Sequence, residues 1–262
     1  MRKSLLVLVF MLIAWPVWAD AAKDCKAVLG TLDAPSGPKG LVAFCSPNAG
    51  YFTLQDTKAL EPRVVVERVN GQKVAGGCVE RTNNFHAEPN LPSAKPSDYL
   101  HSGYDLGHQA PAEDFDWSKD QMPDSFSTAN MAPQKPGLNR QGWKGLESWV
   151  RAAALSNTEL VVMTGPIIED GAKAIGADKI AVPTSFFKVV YDEKSSKVWA
   201  FVYPNEDVPE NAPPAKYQST LGAVERASGL RLLGADMSRS AQPILPPADE
   251  AAWREAHSKA CK

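Results

Sequence analysis

Residues 102–147 read SGYDLGHQAPAEDFDWSKDQMPDSFSTANMAPQKPGLNRQGWKGLE. Tyr104 to Ala110 is short and mixed, with Asp, Gly and His where a strand would be ending, and Phe126 to Met131 is a second strand candidate. A helix is predicted from about Asn139 to about Leu155, because Leu146, Val150 and Ala153 recur at four- and three-residue steps. His108, Asn130, Gln134 and Asn139 pack poorly. They stand at the ends of these elements, where side chains converge on a ligand.

Upstream, Tyr51–Asp56 and Arg63–Val69 read as strands, the second with the run Val64-Val65-Val66, and Pro89, Pro92 and Pro96 make 86–98 a loop. Downstream, Glu159 to Thr164 is a buried strand expected to stop at Gly165-Pro166. Phe186–Tyr191 and Val198–Tyr203 flank a polar turn as a hairpin, and Gln218–Ser228 is the last expected helix, ended by Gly229. Strands and helices mix without regular βαβ alternation. The fold class is therefore α+β, with a mixed, largely antiparallel sheet and flanking helices.

The chain has 262 residues, 28 Lys+Arg against 30 Asp+Glu, and is 44% hydrophobic, which excludes a disordered, collagen-like or long coiled-coil protein. Met1-Arg2-Lys3, an apolar run from Ser4 to Val17 and small residues at Ala19 and Ala21 read as a secretory signal peptide over 1–19, cut after Ala19 or Ala21. Residues 20–44 are then an irregular Gly/Pro-containing arm and 45–262 a single domain, expected to be periplasmic or secreted. Apart from the leader, no segment is apolar enough to suggest a membrane span. Losing Arg2 and Lys3 leaves 26 basic against 30 acidic side chains. Nucleic-acid binding would need a local basic surface. Four cysteines permit three pairings, of which Cys25–Cys45 and Cys78–Cys261 are preferred: the first closes a short loop and the second ties the C-terminus to the body.

Lys135, Arg140, Lys144 and Arg151, against Glu147, make 135–151 a basic island of net +3. Beside a candidate base and oxygen ligands, it suits a phosphodiester substrate. The window resembles the DNA/RNA non-specific endonucleases, the sugar-nonspecific branch of the ββα-metal (His-Me finger) nucleases. Their D-R-G-H, N-x-x-x-Q, helix-opening N and later E correspond to Asp105-Leu106-Gly107-His108, Asn130 to Gln134, Asn139 and Glu147. The likeness extends over roughly 45–235, including RTNNFHAEPNLP at 81–92 and VPTSFFKVVYD at 182–192.

The resemblance implies a ββα-metal motif and a Mg²⁺-dependent endonuclease, with Mn²⁺ able to substitute, that cuts DNA and RNA with little sequence preference. It makes His108 the general base, Asn139 the direct metal ligand and Glu147 a carboxylate acting on the metal through water. Asn130 and Gln134 become supports, and Asp105 a brace for the turn. His108 needs an acceptor for its second ring nitrogen, expected to be a backbone carbonyl. Lys135 and Arg140 are placed near substrate. Leu106 departs from the family's usual arginine, and Arg81, Lys135 or Arg140 could supply the missing charge, with Arg81 the first choice and Asn83 the alternative for its place. The competing reading is an attenuated protein of the same fold that binds nucleic acid without cutting it.

Overall fold

The computed structural model describes residues 25–157, 159–238, 244–246 and 248–262, so the expected leader and its cleavage point lie outside the described residues. Its strands are β1 (Leu41–Cys45), β2 (Tyr51–Asp56), β3 (Glu61–Asn70), β4 (Asp105–His108), β5 (Met131–Gln134) and β6 (Glu159–Ile167). They continue with β7 (Ala174–Ile175), β8 (Ile180–Ala181), β9 (Ser185–Asp192), β10 (Lys197–Pro204) and β11 (Gln218–Ser219). The longer α-helices among the described residues are α1 (Gly71–Gly76), α2 (Lys144–Asn157), α3 (Leu221–Ser228) and α4 (Glu250–Ala260).

Seven strands form one antiparallel sheet in the order β1-β2-β3-β6-β9-β10-β11. Both faces are covered, which is why β6 and β9 are almost continuously apolar. Alternate residues serve opposite cores. Val161, Met163, Phe187 and Val189 pack with Leu221 and Val224 of α3, whereas Leu160, Val162, Phe186 and Val190 pack with Leu146, Val150 and Ala153 of α2. On the α2 face of β3, β6 and β9, polar Glu67, Thr164 and Lys188 interrupt the apolar rows and are nonetheless buried. The disulfides Cys25–Cys45 and Cys78–Cys261 have Cα separations of 5.4 and 5.2 Å.

Several boundaries differ from the sequence reading. Leu41–Cys45, which overlaps the end of the expected irregular arm, pairs with β2 as an edge strand. The strand expected at Phe126–Met131 instead occupies Met131–Gln134. Thr128–Asn130 is a 3₁₀ turn, and the Ser127 hydroxyl accepts from Ala129 N–H. β6 runs through Gly165-Pro166 to Ile167: β3 pairs only as far as Thr164, leaving that side an edge where proline is tolerated. The Gln218–Ser228 helix begins at Leu221, capped by the Thr220 hydroxyl, after a two-residue strand. The predicted helix at Asn139 opens as a π-helical turn, Leu138–Trp143, before α2. Helix α4 was not expected: Trp253 is its one buried residue and only small alanines accompany it.

Candidate active site

β4 and β5 form a separate two-stranded pair in which Asp105 faces Gln134 and His108 faces Met131. Glycine at 107 allows this close approach, because a Cβ there would meet Gln134 Cβ at 2.5 Å and Ala132 O at 3.0 Å. Asn130 is fully buried and clamps the chain just after His108. Its Oδ1 accepts from Ala110 N–H at 2.9 Å, and its Nδ2 donates to Ala110 O at 2.8 Å and Ser125 O at 2.9 Å. Gln134 is equally buried and lies beneath Gly107. Neither residue lines the cleft.

The π turn is pinned from both sides. Lys135 O accepts from Asn139 N–H at 2.8 Å, and Gly142 N–H donates to Val208 O at 2.9 Å. Asn205, which sequence reading missed, joins the hairpin to this turn. Its Oδ1 accepts from Lys135 N–H at 2.8 Å, and its Nδ2 donates to Pro133 O and Pro183 O. A π turn at a helix start recurs at functional sites because it re-aims side chains relative to an α-helical start. Here it presents Asn139 and Arg140 to one carboxylate. Asp105 Oδ2 accepts from Asn139 Nδ2 at 2.9 Å, while Arg140 bonds both oxygens at 2.8 and 2.7 Å. Asp105 thus fixes the Asn139 amide by its NH₂ end, and Oδ1 has no hydrogen-bond partner among the described residues. This is more than the expected bracing of a turn.

His108 is buried, and its Nε2 has no hydrogen-bond partner among the described residues. Two aromatic edges orient the ring in place of the expected backbone carbonyl: Phe85 at 5.7 Å and Phe126 at 5.2 Å between centroids. Burial, joined by the positive charge of Arg81, pushes the imidazole down to about 3. Arg81 lies over the Phe126 ring at 4.8 Å, and its Nε donates to Asn83 Oδ1 at 2.7 Å. Arg81 lines the cleft. Asn83 holds it in place, so the two alternatives are parts of one device.

One cleft of about 490 Å³ is lined by His108, Asn139, Glu147, Asp105, Arg140 and Arg81, among others. The half-buried Glu147 carboxyl is pushed up to about 7 by burial, against the pull of Lys188 and Arg151. The basic island, however, is not a free positive surface. Arg151 is fully buried, bonded to Asp114 at 2.8 Å and paired with Glu113 at 2.7 Å. Arg140 is taken by Asp105, and Lys144 lies 3.4 Å from Glu210. Lys135 does not line the cleft. Its ammonium sits over Tyr104 at its rim. Replacing Arg151 by Leu is expected to destabilise the fold by roughly 3–5 kcal/mol, since Asp114 stays buried without its partner. Urea unfolding checks this, and a change below about 1 kcal/mol would contradict it.

The donors fit a hard divalent cation. Asn139 Oδ1 is left unbonded by the grip of Asp105, and the carboxyl of Glu147, whose charge burial disfavours, faces the same cleft. Among the described residues no three His, Cys, Asp or Glu side chains converge as a metal cage. An amide oxygen and one carboxylate match an ion that keeps much of its water.

The family described as DNA/RNA non-specific endonuclease matches residues 48–235. A Schizosaccharomyces pombe protein named "Nuclease 1, mitochondrial" is 35% identical over 219 residues, covering 75% of this chain and 68% of its own. Human "Endonuclease G, mitochondrial" is 32% identical over 213 residues, 75% and 71% respectively. A crystal structure of an EndoG/EndoGI complex superposes with a TM-score of 0.70 at 28% identity, covering 79% of this chain and 90% of that one. The mitochondrial names overturn the expected periplasmic or secreted location. A basic start followed by an apolar run does not by itself fix a destination. Motif spacing, antiparallel sheet and hairpin-to-helix site agree with these matches: the chain belongs to the DNA/RNA non-specific endonuclease family.

Proposed function

We propose that this chain is a Mg²⁺-dependent endonuclease that hydrolyses phosphodiester bonds of DNA and RNA with little sequence preference. The observation that carries this reading is the meeting of the His108 imidazole, the Asn139 amide and the Glu147 carboxyl around one cleft. Family membership and the nuclease names of the relatives support it.

His108 acts as general base, taking a proton from water at a ring nitrogen. Its low proton affinity in the free protein keeps the imidazole neutral. An anionic phosphodiester in the cleft raises that affinity, so the proton is held once taken. Asn139 Oδ1 and, through water, Glu147 would hold the cation. When bound, it supplies Lewis-acid charge at the phosphoryl oxygens. Arg81 offers fixed positive charge from the His108 wall, where Leu106 offers none. Asp105 works by orienting Asn139.

Purified protein is expected to degrade supercoiled plasmid and single-stranded RNA in Mg²⁺ and to stop when EDTA is added. Undiminished cleavage in EDTA would reject the metal-dependent reading. Absence of cleavage in any divalent ion, with DNA binding retained, would favour the attenuated alternative. Asp105→Asn is expected to lower metal affinity or activity about 10–100-fold, as for loss of a group that aims a ligand. Titrating activity against Mg²⁺ checks it: an unchanged half-saturation point together with unchanged kcat would remove Asp105 from this role.

A further inference from the structure

We propose that Tyr104, Lys135 and Lys173 form a subsite for the sugar–phosphate backbone of the substrate strand next to the cleaved bond, an inference that rests on the nuclease reading above. Most cations beside the cleft are spoken for: Arg140 by Asp105, Lys144 by Glu210, Arg151 by Asp114 and Glu113. Lys135 and Lys173 have no carboxylate partner among the described residues. Their ammonium groups converge on one ring, 4.8 and 5.4 Å from the Tyr104 centroid. Two like charges on one tyrosine repel each other, and an exposed cation–π contact returns only about 0.5–1 kcal/mol. An anion shared by both turns that repulsion into attraction. Tyr104 itself lines the cleft that holds His108 and Asn139, which places such an anion beside the reacting phosphate.

The framework is held in place. Tyr104 N–H donates to Ser102 Oγ at 3.1 Å, and Ser102 Oγ–H donates to Tyr99 O at 2.7 Å. The Lys135 backbone is fastened to Asn205 on one side and to Asn139 N–H on the other. Lys173 O accepts from Val182 N–H at 2.6 Å, across the mouth of the β7–β8 hairpin. Ile175, Ile180 and Val182 pack with Tyr99 in a small cluster, against which Leu106 and Tyr104 lie. Leu106 therefore seats the hairpin whose Lys173 brings positive charge to this wall, where the resemblance leads one to expect an arginine. A phosphate that draws the two ammonium groups toward itself also frees the tyrosine face for a sugar or base, the combination used for single strands.

The test is cleavage of a single-stranded oligonucleotide by native protein, Lys135→Ala/Lys173→Ala, Lys135→Arg/Lys173→Arg and Tyr104→Leu over a series of salt concentrations. A minimal diester without flanking phosphates, thymidine 5′-monophosphate p-nitrophenyl ester, is the comparison substrate. The alanine pair is expected to raise KM for the oligonucleotide about 10-fold and to flatten its salt dependence by about 0.7 in log–log slope, the value for one lost phosphate contact. The arginine pair keeps the native slope, Tyr104→Leu raises KM, and the minimal diester is affected several-fold less. Unchanged KM and slope, or an equal effect on both substrates, overturns the subsite. If native protein cuts neither substrate, the nuclease reading fails by itself. Anisotropy of the labelled oligonucleotide, native against the alanine pair at the same salts, then decides the subsite separately.

Discussion

His108→Ala is expected to lower kcat/KM for plasmid or oligonucleotide cleavage by about 10²–10⁴, the range for a lost general base. The pH dependence makes the assignment specific. The free-enzyme imidazole is pushed down to about 3, so its own protonation does not cut kcat/KM near the ordinary histidine value of 6.5. The acid limb of the metal-limited profile belongs instead to Glu147, pushed up to about 7, whose charged form grows as pH rises through that value. Glu147→Gln should remove that limb, whereas His108→Ala should lower the whole profile. Stability gives a second readout. A histidine held neutral in the fold but free to protonate when unfolded contributes stability that is complete above about 6.5. That contribution is lost as pH falls from there toward 3. Urea unfolding of native protein between pH 7 and 4 should show this loss, and His108→Ala should lack that component. A variant with native kcat/KM would end the general-base assignment.

The residues proposed to do the chemistry are legible because each sits in a short local pattern. Asp105-x-Gly-His108 lies on β4, Asn139 opens the turn before α2, and Glu147 follows on the helix. The apolar stripe of α2 and the Val-rich strands were readable by period alone. Charge was not, because counting along the chain ignores pairing in space. Arg151 belongs to the sequence island, but its guanidinium is buried against Asp114, 37 positions away. Lys188 and Asn205 are also long-range contributors. Lys188 Nζ donates to Thr164 Oγ1 at 2.7 Å and lies 3.4 Å from Gln109 O, beside the residue following His108. No local pattern marks either. Helix α4 escaped notice because Trp253 is its single fully buried anchor, set over Arg151 at 4.8 Å. The strand expected at Phe126 was misplaced because Phe126 is an isolated core anchor that packs on Phe85 before a 3₁₀ turn, not the start of a ladder.

Asn139→Ala is expected to cost roughly 10²–10³ in kcat, corresponding to several kcal/mol of lost Lewis-acid assistance, and to raise the Mg²⁺ concentration for half-maximal activity. The contact with Asp105 makes a sharper experiment possible. Asn139→Asp supplies a more strongly charged oxygen ligand, yet it removes the Nδ2 donor and sets a carboxylate against Asp105 at hydrogen-bond distance. It should therefore remain at least 10-fold below native activity. Combining it with Asp105→Asn reverses donor and acceptor while keeping the pair bonded. The double variant should exceed Asn139→Asp about 10-fold, a favourable coupling larger than distant sites show. Mg²⁺ titrations of kcat for all four proteins measure that coupling. If the two substitutions simply add, Asp105 does not aim Asn139, and if Asn139→Ala is as active as the native chain, its amide oxygen is not the metal ligand.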